Sequence, residues 1–198
     1  MGPMSHLVAV DVAILPPADV AQRAVELSAG LPADPHGFRL DTERLPHITL
    51  SQSFVREDEL PVAFEHVDDV LRARSGFPLR VTGGGQGSSS VWMTIELTPE
   101  ISDLHEQVMH ALVGVERSGG TPGAFFGGDA RVGDVLWVTG YRLKSSFGAF
   151  TPHITLGHAP AAPSVDSFTF TADVVAACHL GRFCTCRRIL RSWNLVRS

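Results

Sequence analysis

The chain has 198 residues, with sixteen Lys and Arg against twenty-one Asp and Glu for a formal charge of −5. Hydrophobic residues at 44% and charged residues at 19%, with 19 Gly and 13 Pro, describe an ordinary globular protein long enough to bury one core, and exclude a disordered, collagen-like or coiled-coil chain. The negative balance also argues against a broad electrostatic grip on duplex nucleic acid.

In chain order, Met1-Gly2-Pro3 ahead of Met4 reads as an added leader. Residues 6–15 read as a strand. Asp11 at its centre and the lack of a basic residue before it exclude a secretory signal, and no apolar run reaches the roughly eighteen residues that span a bilayer. Pro16-Pro17 opens a helix that runs to about Ala29 and ends at Gly30, and a loop with two prolines follows. Asp58 starts a second helix, with Pro61 in its first turn and Leu60, Phe64, Val67 and Leu71 on one face. Phe77–Thr82 and Ser90–Leu97 read as strands around a flexible Gly83-Gly84-Gly85-Gln86-Gly87 tip, which lacks the G-x-x-x-x-G-K-[ST] pattern of a phosphate loop and is assigned no chemistry. A third helix follows, with Thr98 as N-cap, Pro99 first, and Ile101, Leu104, Val108 and Leu112 as its buried stripe. Residues 118–130 are Gly-rich and irregular, Val135–Tyr141 reads as a strand, and Phe168–Leu180 with Phe183–Leu195 as a closing hairpin about Gly181. The expected fold is α+β, two mostly antiparallel sheets with outer helices.

The chain repeats itself at two places. Leu45-Pro46-His47-Ile48-Thr49-Leu50 and Thr151-Pro152-His153-Ile154-Thr155-Leu156 share five consecutive residues at a separation of 106 positions, a coincidence on the order of one in a hundred for so short a chain. In each copy Pro biases the chain towards extended backbone, and His and Thr alternate with Ile and Leu at the period of a strand. His47 and Thr49 therefore share one face, His153 and Thr155 another, while Ile48, Leu50, Ile154 and Leu156 anchor the opposite sides.

Two such strands across a cleft would present two imidazoles and two hydroxyls. With an ordinary pKa of about 6.5, one imidazole can be neutral and the other protonated near neutral pH, a general base and a general acid for a single displacement. The hydroxyls can donate to the oxygens of an anion, so the set suits a phosphodiester without a metal ion. The spacing of His47-Ile48-Thr49-Leu50 and His153-Ile154-Thr155-Leu156 resembles the paired His-x-Thr/Ser-x motifs of the two-histidine phosphoesterases, also called LigT-like or 2'-5' RNA ligase-like proteins. The resemblance runs from the strand near Val8 to the closing hairpin. It implies a single bilobal domain with a pseudo-two-fold around a central cleft, each lobe contributing one motif strand. It also implies cleavage of 2',3'-cyclic phosphates of nucleotides or RNA ends, or of 2'-5' bonds. On that resemblance His47 protonates the leaving oxygen, His153 activates the nucleophile, and Thr49 and Thr155 bind phosphate oxygens.

A net charge of −5 and one lysine, Lys144, favour a small nucleotide or a short RNA end over long RNA in a basic groove. Phe126 in the Gly-rich segment, Tyr141, Arg142 and Lys144 before the second motif, and Phe150 are further candidate substrate contacts. As strand positions, Arg142 and Lys144 would share a face. His158, past Gly157, reads as a surface residue in a turn, and His105 and His110 lack metal-ligand spacing, so neither metal nor cofactor is expected. Cys178, Cys184 and Cys186 read as reduced strand residues of a cytosolic protein. The expected enzyme is a cytoplasmic monomer without duplex DNA or membrane partners. A reversible 2'-5' RNA ligase, or a module that binds nucleotides or RNA ends without turnover, is the alternative.

Overall fold

The computed structural model describes residues 6–196, and the expected leader at residues 1–3 lies outside them. In chain order the elements are β1 (Leu7–Leu15), α1 (Ala18–Ala29), β2 (Ile48–Arg56), α2 (Leu60–Leu71), β3 (Phe77–Gln86), β4 (Ser90–Ile95), α3 (Pro99–Ala111), α4 (Val132–Lys144), β5 (His153–His158), β6 (Phe168–Ala172), β7 (Val174–Gly181) and β8 (Thr185–Asn194). The strands form two antiparallel four-stranded sheets, in the orders β2-β1-β7-β8 and β5-β4-β3-β6. The architecture is α+β, as expected. Each motif strand lies at a sheet edge, and the edges β2 and β5 pack against each other.

Alternation along the strands sets the layers. Val10, Val12 and Ile14 of β1 face the main core with Val67, Leu104 and Val108 of the helices. Ala9, on the other face of β1, joins a second cluster with Phe54, Phe125, Val138 and Leu180. Ile48, Leu50, Ile154 and Leu156 are all fully buried in the main core, while His47, Thr49, His153 and Thr155 are half-buried.

Two buried polar side chains brace the motif strands from opposite halves. Ser28 of α1 donates its hydroxyl to the Leu156 carbonyl at 2.6 Å and accepts from the Leu40 N–H at 2.7 Å. His105 of α3 shares a hydrogen bond of 2.7 Å with the Leu50 carbonyl, and its Nε2 accepts from the Phe147 N–H at 2.8 Å. Because a carbonyl only accepts, the His105 proton sits on Nδ1, and burial lowers the pKa of the ring and keeps it neutral. Each helix that follows the first strand of one motif unit thus holds the last residue of the other motif, and also the loop leading to its own.

Four expectations are corrected. Residues 132–144 form helix α4, where Val135–Tyr141 reads as a strand. The β-branched and aromatic residues Val135, Trp137, Val138, Thr139 and Tyr141 favour a strand locally, but the buried positions are Asp134, Val138 and Tyr141, at helical spacing. Asp134 also accepts from the Arg131 N–H at 2.9 Å and closes a capping box at the helix start. The expected strand Phe168–Leu180 is two strands in different sheets, parted at Asp173, because Phe168–Ala172 pairs with β3 and Val174–Gly181 with β1 and β8. His158 ends β5 and is half-buried, with its ring 5.3 Å from Phe38 and 5.2 Å from Phe183 between centroids.

The fourth correction concerns the glycine run, which continues β3 to Gln86 and pairs with Val91–Thr94 of β4. Its lack of side chains serves close approach. A Cβ on Gly84 would overlap the Pro163 carbonyl oxygen, and one on Gly85 would overlap the Trp92 indole nitrogen. Since the Gly84 contact is with backbone, Gly84→Ala is expected to destabilise the fold by about 1–3 kcal/mol, the usual range for overpacking. Urea unfolding with an unchanged midpoint would show that the 159–165 segment yields freely.

Candidate active site

The two histidines are held in the same way. His47 precedes β2 and its Nδ1 lies 2.7 Å from the Leu45 carbonyl; His153 opens β5 and its Nδ1 lies 2.7 Å from the Thr151 carbonyl. Both bonds reach two residues back, across the proline of the motif. Each Nδ1 must therefore carry hydrogen, which leaves each Nε2 free to take or give a proton. Burial lowers both pKa values, and for His153 the neighbouring His47 lowers it further. Charge on one ring thus disfavours charge on the other, as an acid–base pair sharing one proton requires.

The loop leading to His47 touches both sheets. Arg39 bridges to Gly157 of β5 and Leu45 to Cys186 of β8, with the Leu45 N–H donating to the Cys186 carbonyl at 2.9 Å. A Cβ on Gly157 would overlap the Phe38 carbonyl oxygen, so only glycine admits that loop against β5.

Beneath His47 is Asp11, fully buried at the centre of β1. Its Oδ2 accepts from the Thr49 hydroxyl at 2.7 Å and from Gln52 Nε2 at 2.8 Å, and lies 3.6 Å from His47 Nε2. Its Oδ1 has no hydrogen-bond partner among the described residues. Burial pushes the carboxyl up to about 7, with the Gln52 and Thr49 bonds opposing. The thiol of Cys186 lies beside it, and the Tyr141 hydroxyl is close enough for the Asp11 charge to add to the upward push of burial on its pKa. At the second motif the partners differ. The Thr155 hydroxyl has no protein partner among the described residues, and the Trp92 ring lies 4.9 Å from the His153 ring between centroids. Trp92 pairs with Thr155 and Thr94 with His153 across β4 and β5, so the half-buried indole lies beside the second motif, over Gly85.

Of the other candidate contacts, Tyr141 is the one placed near a motif, through Asp11. Phe150 is buried in the core and stacked on His105 at 3.9 Å. Arg142 donates to both oxygens of Glu116 at 2.6 Å and to the Met109 carbonyl at 2.5 Å, a structural tie, and Lys144, on a different face of the helix, is exposed. The Phe126 ring packs edge-on against His179, with the Arg187 and Arg188 guanidinium carbons 5.6 and 5.8 Å from its centroid, rather than on either motif histidine. Asp11 and Trp92 were missed. The signals were a lone carboxylate inside Leu7–Leu15 and a glycine run opposite a tryptophan.

A sequence model described as the 2'-5' RNA ligase superfamily matches residues 16–176. No curated protein matches the chain. Among solved structures, TT0787 of Thermus thermophilus is 19% identical, with a TM-score of 0.66 over 95% of this chain and 98% of that one. Escherichia coli LigT complexed with 3'-AMP is 17% identical, with a TM-score of 0.65 over 97% of this chain and 99% of that one. The same protein complexed with NADP+ gives 16% and 0.64 over 96% and 99%. At these identities the likeness carries the fold.

The burial of Asp11 has a measurable consequence. Its folded pKa of about 7 lies above the ordinary 3.8, so the folded state keeps a proton that the unfolded chain gives up between those values. The contribution of this group to stability is intact below about pH 4, falls as pH rises, and bottoms out above pH 7 at a loss on the order of 4 kcal/mol. Asp11→Asn is expected to remove this slope, so its stability relative to the parent rises between pH 5 and 8 in urea unfolding. A difference that stays flat across that range refutes the raised pKa.

Proposed function

The chain belongs to the 2'-5' RNA ligase superfamily, and from that membership and its paired imidazoles we propose a metal-independent phosphodiesterase that opens 2',3'-cyclic phosphates of nucleotides or RNA ends, or cuts 2'-5' bonds. The observation that carries the reading is the mirrored Nδ1 bond: both rings are fixed in one tautomer, with Nε2 the working atom. The 198 residues act as a single bilobal unit. No helix among the described residues is long and apolar enough to cross a membrane, and the proposed setting is the cytosol, with the protein monomeric.

In the proposed reaction His153, neutral at rest, takes a proton from the attacking water as its oxygen bonds to phosphorus. The P–O bond to the ribose breaks in line, and His47 gives its proton to the leaving oxygen. The phosphate charge, arriving beside His47 Nε2, favours the protonated imidazole that burial alone disfavours. The hydroxyls of Thr49 and Thr155 donate to the non-bridging oxygens. Thr155 is free to do so. Thr49 donates to Asp11 at rest, and its hydrogen is released to phosphate when Asp11 carries the proton its burial favours, since the carboxyl then donates to the Thr49 oxygen. Trp92, beside His153, offers a face on which a base can stack. One lysine and a net negative charge fit a small nucleotide or short RNA end.

Replacing either His47 or His153 by Ala is expected to slow the opening of 2',3'-cyclic mononucleotides by at least about a hundredfold, the usual scale of acid–base catalysis. Activity survives EDTA. Cyclic nucleotide recovered unchanged from a tight complex would identify a binding module, and preference for 2'-5' dinucleotides would move the substrate to RNA linkages. Trp92→Ala is expected to raise KM for a mononucleotide by about tenfold with little change in kcat, within the range for loss of one base–aromatic stack. An equal fall in kcat places Trp92 with the reacting atoms instead.

A further inference from the structure

Three donor types converge beneath the first motif. One ligand atom each from His47, Asp11 and Cys186 lies within 4.8 Å of the other two. The His47 Nε2 to Asp11 Oδ2 separation is 3.6 Å, long for a hydrogen bond but close to the edge between two ligands of a tetrahedral cation with bonds of about 2.0–2.2 Å. Asp11 is fully buried, and among the described residues its Oδ1 has no hydrogen-bond partner, in a place where buried polar atoms are normally satisfied. The Thr49 hydroxyl and Gln52 amide already hold the carboxylate in place, as the outer hydrogen bonds of metal sites do.

We propose that His47, Asp11 and Cys186 form a binding site for a thiophilic divalent cation of the zinc class, which engages the Nε2 of His47 and so blocks the candidate acid. Imidazole, carboxylate and thiolate are ligand types zinc takes in tetrahedral sites, and three of them leave a fourth position for water or a phosphate oxygen. Burial holds the Cys186 thiol protonated in the metal-free protein, with a neighbouring Cys178 in hydrogen-bonding reach. Binding forms the sulfur–metal bond and releases the Cys186 proton, with any proton on Asp11, to solvent. The charge of the cation then replaces protons in holding two anions inside the protein. No oxidant or reductant is involved. The inhibitory consequence rests on the reading of His47 as the acid; the binding itself does not.

Cobalt(II) serves as the spectroscopic probe and zinc as its competitor. The purified full chain is expected to bind one Co2+ in a four-coordinate geometry, with intense visible bands and a thiolate-to-metal charge-transfer band, and zinc displaces it. Cys186→Ser abolishes the charge-transfer band and weakens zinc by at least about a hundredfold, beyond the loss from an outer hydrogen-bond partner. It also makes turnover of a cyclic mononucleotide insensitive to zinc. Should Cys186→Ser unfold, inorganic phosphate supplies a second reading on the parent protein, since it perturbs the Co2+ spectrum by taking the open position. A Co2+ spectrum without thiolate character, or zinc affinity unaltered in Cys186→Ser, overturns the site. Thiolate-ligated binding in a chain that turns over no phosphodiester leaves the cation site standing and removes the proposed enzyme.

Discussion

The placement of the two motif strands depends on two backbone carbonyls. Leu50 and Leu156 close the two copies of the repeat, and each is hydrogen-bonded by a polar side chain from the opposite half: His105 on α3 for the first and Ser28 on α1 for the second. Each brace is also tied to the loop that leads into its own motif, through Phe147 and Leu40. These bonds are buried, where an unpaired carbonyl costs more than a paired one contributes. The strand edges β2 and β5 are held together by groups that cannot let go without leaving a naked dipole in the core. A neutral His105 suits this task, because one ring can donate and accept at once.

The two motifs are equal in sequence and unequal in surroundings. The first sits over a buried carboxyl, two thiols and a tyrosine hydroxyl; the second over glycine and an indole. Such an arrangement separates the behaviour of two identical imidazoles. One has a buried carboxyl 3.6 Å from its Nε2, and the other an indole ring 4.9 Å away between centroids. Neighbours can set two such rings apart where sequence cannot, since their intrinsic chemistry is the same.

Much of the fold was legible because its signals are local. Prolines at the starts of α2 and α3, Gly30 after α1, and alternation in β1 and both motifs each specify backbone within a few residues. The motif faces were legible for the same reason: two-residue periodicity alone puts Ile48, Leu50, Ile154 and Leu156 inside. What escaped depends on contacts distant in sequence. Residues 132–144 carry β-branched and aromatic residues that favour a strand locally, yet Asp134 caps a helix and pairs with the N–H of Phe183, far along the chain. The break at Asp173 is invisible because Phe168–Leu180 has the composition of one strand, and only partner strands divide it. Asp11 was visible as an oddity, but its link to Thr49 and Gln52 required knowing that β1 and β2 pair.

The crossed braces also make the two halves interdependent. Ser28 and His105 each sit on a helix of one half and bind the last motif carbonyl of the other, so neither half supplies the side-chain partner of its own motif carbonyl. Loosening α1 therefore exposes the Leu156 carbonyl and loosening α3 the Leu50 carbonyl, and a disturbance in either half is felt first at the other half's histidine strand.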